Sequence, residues 1–180
     1  MAKNNKKNIE PAVRNIFLTG FMCAGKTEAG RFLAKKLGRP FRDSDALLEL
    51  ETGRTIAALV KEKGLAGFRR LEAAGVKRLA AGTGQVIALG GGVYPSHKWK
   101  RLLGGSGTTV FLYCPWPELE ARLKAASGPR PLLDGPWEKA RQRARRLYDR
   151  RLPFYRQADL TVSTAGLNPR KAAERVRGKL

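Results

Sequence analysis

Eight residues near the amino end, Gly20-Phe21-Met22-Cys23-Ala24-Gly25-Lys26-Thr27, carry the spacing G-x-x-x-x-G-K-T. A loop of this kind turns successive backbone N–H groups inward around an anion, and the positive end of the following helix adds to their pull. Lys26 is placed to reach the β- and γ-phosphates of a nucleotide, and the Thr27 hydroxyl to ligate its Mg²⁺. The flanks decide whether the spacing is more than a chance glycine turn. Ile16-Phe17-Leu18-Thr19 reads as a strand before it and Gly30–Leu37 as a helix after it, the context a phosphate-binding loop requires.

Other residues suit the acceptor half of a phosphoryl transfer. Asp43 and Asp45 lie two apart, so in an extended strand they face the same way. One can help hold hydrated Mg²⁺ while the other faces an acceptor hydroxyl and takes its proton. An acidic acceptor also needs cations, and Arg69 and Arg151 offer planar forks that fit a carboxylate. Arg130 lies in the Gly- and Pro-rich stretch Ser127–Pro136, a loop able to close over the transferred phosphate and exclude water. Among 36 lysines and arginines, composition alone singles out none of these.

The elements that must position them alternate. Strands are expected at Asn15–Thr19, Phe41–Asp45, Gln85–Leu89, Thr108–Cys114 and Asp159–Ser163. Helices are expected at Gly25–Leu37, from a cap at Ser44 or Asp45 through Leu50, and at Ile56–Lys63 and Phe68–Ala81. Further helices are expected at Leu119–Ala126, Trp137–Arg150 and Pro169–Lys179. The pattern argues an α/β fold with a mainly parallel sheet, whose ligands sit at the carboxyl ends of the strands. The phosphate loop, the aspartate pair and Gly90-Gly91-Gly92 all follow strand ends.

Composition bounds the rest. A chain of 180 residues suits one domain, and no apolar run is long enough for a membrane span. Cys23 and Cys114 fit a reducing cytoplasm and form no metal pattern with the single histidine, His97. Residues 1–14 read as a disordered basic tail without the apolar core of a signal peptide. The net charge of +21 raises nucleic acid as a partner, but the basic residues are dispersed and no aromatics interleave them. A solvated surface on an enzyme of anionic ligands is the favoured account.

The order G-x-M-x-x-G-K-T, F-x-D-x-D, F-R-x-x-E at Phe68–Glu72, Gly90–Gly92, Arg130-Pro131-Leu132-Leu133, and Arg151-Leu152-Pro153-Phe154-Tyr155 with Ala158-Asp159 resembles the shikimate kinase family. The resemblance runs from about Asn15 to the carboxyl end. It implies a three-layer α/β/α P-loop kinase core, like that of nucleoside monophosphate kinases, with a central five-stranded parallel sheet. It further implies a single domain over 15–180 with a lid at about 126–137, working as a cytoplasmic monomer. The implied reaction passes the γ-phosphate of ATP to the 3-hydroxyl of shikimate.

By the same resemblance, Lys26, Asp45 and Arg130 are catalytic, with Asp45 binding the shikimate hydroxyls and serving as base. Cys23, Ala24, Gly25, Lys26, Thr27, Glu28, Arg130 and Asn168 bind ATP, the last near adenine. Arg69 and Arg151 hold the shikimate carboxylate, Gly91 and Gly92 offer it backbone N–H groups, and Glu72 supports the arginines. Thr27 and Asp43 serve Mg²⁺. Four positions depart from the family pattern: Cys23 replaces a common glycine, Glu28 a Thr or Ser, Leu65 a Glu before F-R, and Gln157 a Glu after the late tyrosine. Two other readings use the same motifs: a kinase of another polyol acid such as gluconate, or a weakened relative that binds nucleotides or polyanions.

Overall fold

The computed structural model describes residues 13–93, 97–126 and 133–180. Five strands form one parallel sheet: β1 (Asn15–Thr19), β2 (Phe41–Asp43), β3 (Val86–Ala88), β4 (Gly107–Tyr113) and β5 (Leu160–Ser163), in the order β2-β3-β1-β4-β5. Central β1 pairs Phe17 with Ile87 on one side and with Thr109 on the other. Its residues are buried throughout, as a strand covered on both faces must be. The sheet class and strand number match expectation.

Alternation along β1 divides the core into two layers. Ile16 and Leu18 pack with Val110, Leu112 and Val162 against α1 (Lys26–Leu37) and α7 (Pro169–Arg177). Phe17, Ile87 and Phe111 face the other way, toward α3 (Ile56–Ala81), α4 (His97–Ser106), α5 (Trp116–Ala125) and α6 (Trp137–Tyr155). Hence three layers. Among the described residues no helix is long and apolar enough to cross a membrane.

Several boundaries differ from the sequence expectation, and each has a local cause. The second strand stops at Asp43, because that residue turns to cap α2 (Ser44–Thr52), accepting from the N–H groups of Asp45 and Ala46. The cap is therefore Asp43 rather than Ser44 or Asp45, and Asp45 sits in the first helical turn, not in an extended strand. The two expected helical pieces at 56–81 form one run broken at Gly64, whose φ of 64° and ψ of 171° admit no continuous helix. Helix α6 passes Arg150 and continues to Tyr155 with Pro153 in its last turn. That extension puts Arg151 and Tyr155 on one helical face. Helix α4 was not anticipated, although Leu103 on it is wholly buried.

Candidate active site

The phosphate loop connects β1 to α1 at the carboxyl edge of the sheet. Gly20 has φ of 141°, and a Cβ there would press within 2.8 Å of the Leu112 carbonyl oxygen. Gly25, at φ 89°, is the N-cap of α1 and supplies no capping side chain. The first-turn N–H groups are thus left for an anion. Lys26 Nζ donates to the carbonyls of Gly20 at 3.0 Å and Phe21 at 2.9 Å. Burial lowers its pKa, with Asp45 and Asp43 opposing the shift. Glu28 is exposed on the first turn.

Cys23 holds φ 60°, the only positive φ on a non-glycine residue among those described. That conformation explains why a glycine suits this position. The Cys23 carbonyl accepts from Arg122 Nη1 at 3.4 Å, and the same guanidinium reaches Glu118 at 2.5 Å and the Thr164 carbonyl at 3.2 Å. A cavity of about 290 Å³ opens beside the loop, lined by Ala24, Gly25, Arg122, Thr164, Leu167 and Pro169. Sequence reading missed Arg122; one arginine among so many carries no local signal. Asn168 does not line this cavity: its side chain caps α7 by accepting from Lys171 N at 2.9 Å, while its neighbours Leu167 and Pro169 form the wall.

Across the cleft, Thr27 Oγ1 donates to Asp43 Oδ2 at 2.7 Å. A hydroxyl and a carboxylate are hard oxygen donors that suit Mg²⁺, which takes few protein ligands and completes its shell with water and phosphate. Next to them Asp45 has its pKa raised to about 6, by burial first and then by Asp43 and Glu72, against the pull of Lys26 and Arg69. Its carboxylate is thus ionised at neutral pH yet basic enough to accept a proton.

Two glycines of the triplet after β3 lie hard against side chains of the site. Ser44 Oγ accepts from Gly90 N at 2.8 Å, drawing the turn against α2. A Cβ at Gly90 would collide with Asp45 Oδ1 and come within 2.9 Å of Glu72 Oε1; one at Gly92 would collide with the Arg69 guanidinium. Arg69 Nη1 pairs with buried Glu72 Oε2 at 2.5 Å. Arg151 Nη1 and the Tyr155 hydroxyl both donate to the Gly91 carbonyl, at 2.9 Å and 2.5 Å. The N–H groups of Gly91 and Gly92 have no hydrogen-bond partner among the described residues.

The structure thus gathers Lys26, Thr27, Asp43, Asp45, Arg69, Glu72, Gly91, Gly92 and Arg151 around one cleft. Arg130 and the rest of residues 127–132 of the expected lid lie outside the described residues. One wall is a phosphate cradle. The other carries the guanidinium groups of Arg69 and Arg151, the first paired with buried Glu72, beside a carboxylate of raised pKa.

A family model described as shikimate kinase matches residues 22–180. The chain is 45% identical over 145 residues to a shikimate kinase of Symbiobacterium thermophilum, covering 80% of this chain and 82% of that one. It superimposes on the shikimate kinase structure from Bacteroides thetaiotaomicron with a TM-score of 0.87 at 33% identity, covering 94% of this chain and 98% of the other. The shikimate kinase from Acinetobacter baumannii in complex with shikimate gives 0.83 at 36% identity, covering 93% and 92%.

Proposed function

The chain belongs to the shikimate kinase family, and from that premise we propose that it transfers the γ-phosphoryl group of ATP to the 3-hydroxyl of shikimate. The observation that carries the reading is the convergence of Asp45, Arg69 and Arg151 on the glycine triplet, opposite the uncapped start of α1. Phosphoryl transfer asks a protein for little covalent chemistry and much positioning and charge stabilisation. This cleft offers both.

Gly25 and the first turn of α1 cradle the β-phosphate, and Lys26 exchanges its two loop carbonyls for phosphate oxygens. The base of ATP occupies the cavity between Arg122 and Pro169. Thr27 and Asp43 would hold Mg²⁺, which supplies charge neutralisation on the phosphates. Arg69 and Arg151 grasp the shikimate carboxylate, helped by the N–H groups of Gly91 and Gly92. The single carboxylate anchored at one end turns the ring hydroxyls toward Asp45, which accepts the proton of the attacking hydroxyl. Glu72 keeps Arg69 from swinging away. Arg130, on the lid loop, would meet the transferred phosphoryl group as the loop closes and water leaves. A monomer in the cytoplasm, where ATP is at hand, completes the reading.

A coupled assay of ADP release with shikimate, quinate and gluconate as acceptors tests it. Turnover is expected with shikimate. Turnover with gluconate and none with shikimate would replace the acceptor while leaving the phosphate loop its role.

A further inference from the structure

The Gly91 carbonyl accepts two hydrogen bonds from one helix, from Tyr155 at 2.5 Å and Arg151 at 2.9 Å. The donors stand four residues apart on α6, one above the other. Tyr155 is fully buried, its ring stacked on Phe111 with centroids 5.3 Å apart. Its hydroxyl therefore ends a rigid arm. Burial pushes the phenol up to about 12, so it stays a donor at any working pH.

A planar trans peptide points its carbonyl and its N–H in opposite directions, and the described chain has no cis bond. Turning the Gly91 carbonyl toward α6 therefore turns the Gly92 N–H away from it. The same peptide touches both guanidinium groups: Arg151 bonds its oxygen, and the Arg69 guanidinium lies where a Cβ on Gly92 would stand. The Gly92 N–H has no protein partner among the described residues.

We propose that Tyr155 is a positioning residue for the acceptor's carboxylate, holding the Gly91 carbonyl so that the Gly92 N–H and Arg151 are both presented to that anion. The proposal rests on the assignment of shikimate as acceptor. Tyr155 itself touches no substrate atom. It acts through the peptide, and its loss frees that peptide to rotate while Arg151 loses a fixed partner.

Tyr155→Phe keeps the ring and the stack and removes only the hydroxyl. The expected result is a shikimate KM raised about five- to ten-fold, the range one buried hydrogen bond commands. The ATP KM and kcat should stay within about two-fold, because the Tyr155 hydroxyl bonds the Gly91 carbonyl rather than a polar group of the phosphate loop or Asp45. The methyl ester of shikimate, which lacks the anion, should show the same KM with either protein. In an Arg151→Ala background the second substitution should still raise the shikimate KM, since Tyr155 is then the remaining side-chain donor to the Gly91 carbonyl among the described residues. Equal losses for shikimate and its ester, or losses in ATP KM and kcat of the same size, would mean a role in folding alone and overturn the proposal. So would an unchanged shikimate KM. Wild-type protein gives a readout that needs no variant: the Gly92 amide proton should move downfield on adding shikimate and stay in place with the ester. An amide unmoved by shikimate overturns the proposal as well. If wild-type protein turns over no shikimate, the acceptor assignment fails and takes the proposal with it; normal turnover without the KM split sinks the Tyr155 proposal alone.

Discussion

Thr27 Oγ1 donates to one oxygen of Asp43 across 2.7 Å, and the other oxygen of that carboxylate caps α2. One side chain thereby ties the phosphate loop to the helix that carries Asp45. The donor and acceptor halves of the cleft are held in register through a single carboxylate.

The two duties of Asp43 can be separated. Asn caps helices as well as Asp, whereas Ala does not and costs about 1 kcal/mol. Asp43→Asn should therefore unfold within about 0.5 kcal/mol of wild type, and Asp43→Ala should lose roughly 1 kcal/mol more. Both should raise the Mg²⁺ concentration needed for half-maximal rate. Urea unfolding and a Mg²⁺ titration of the rate check the pair.

Asp45 links activity to stability through its raised pKa of about 6. As the proposed base it must be ionised, so kcat/KM should climb through an acidic limb near pH 6. Folding has the opposite sign. A carboxyl whose folded pKa lies above its unfolded one favours the folded state when protonated, and that advantage is lost as pH rises through about 6. Asp45→Asn should cut turnover by at least about 100-fold while ATP still binds. At pH 8 the same variant should be more stable by about 1–2 kcal/mol, discounted for the solvent that reaches the group. Below the ordinary carboxylate pKa of 3.8 the difference should vanish. Thermal melts at the two extremes measure it.

Cys23 at φ 60° carries a left-handed backbone that L side chains adopt at a cost. Cys23→Gly should stabilise the protein by about 0.5–1 kcal/mol, the relief partly offset by the greater freedom of unfolded glycine. Cys23→Val should do the reverse, because branching at Cβ sharpens the clash. Denaturant midpoints for the three proteins decide it.

Glu28 stands exposed on the turn whose N–H groups await phosphate. Two like charges about 4 Å apart in water repel by about 1 kcal/mol, so Glu28→Thr should tighten ATP binding by about two- to five-fold. Salt screens such a repulsion, and the gain should shrink as ionic strength rises. Calorimetric titration of ATP at two salt concentrations is the check.

Much of this was legible because it depends on local chemistry. All five strands were expected close to where they lie, and β1, β3 and β4 are short, mainly apolar and buried runs. The phosphate loop reads from its spacing, and Gly53, at φ 64° after α2, from its place as a helix breaker. Long-range contacts were harder. Asp45 looked like part of a strand because the sequence does not show that the Asp43 carboxylate bonds two N–H groups downstream and starts α2 at Ser44. Helix α4 ends in Gly104-Gly105, which hides the helical spacing of Trp99, Leu102 and Leu103. The side chains that crowd Gly90 and Gly92 are Asp45, Glu72 and Arg69, far away in the chain. Arg122 became visible only once α5 was laid beside the phosphate loop.

Initial rates with purified protein, Mg²⁺-ATP and shikimate test the central assignment most directly, with NMR of the product to locate the phosphate. Saturable turnover giving a phosphate ester on the 3-hydroxyl is the predicted result. No turnover of shikimate at millimolar concentration, from folded protein that binds ATP and phosphorylates another polyol acid, would contradict it.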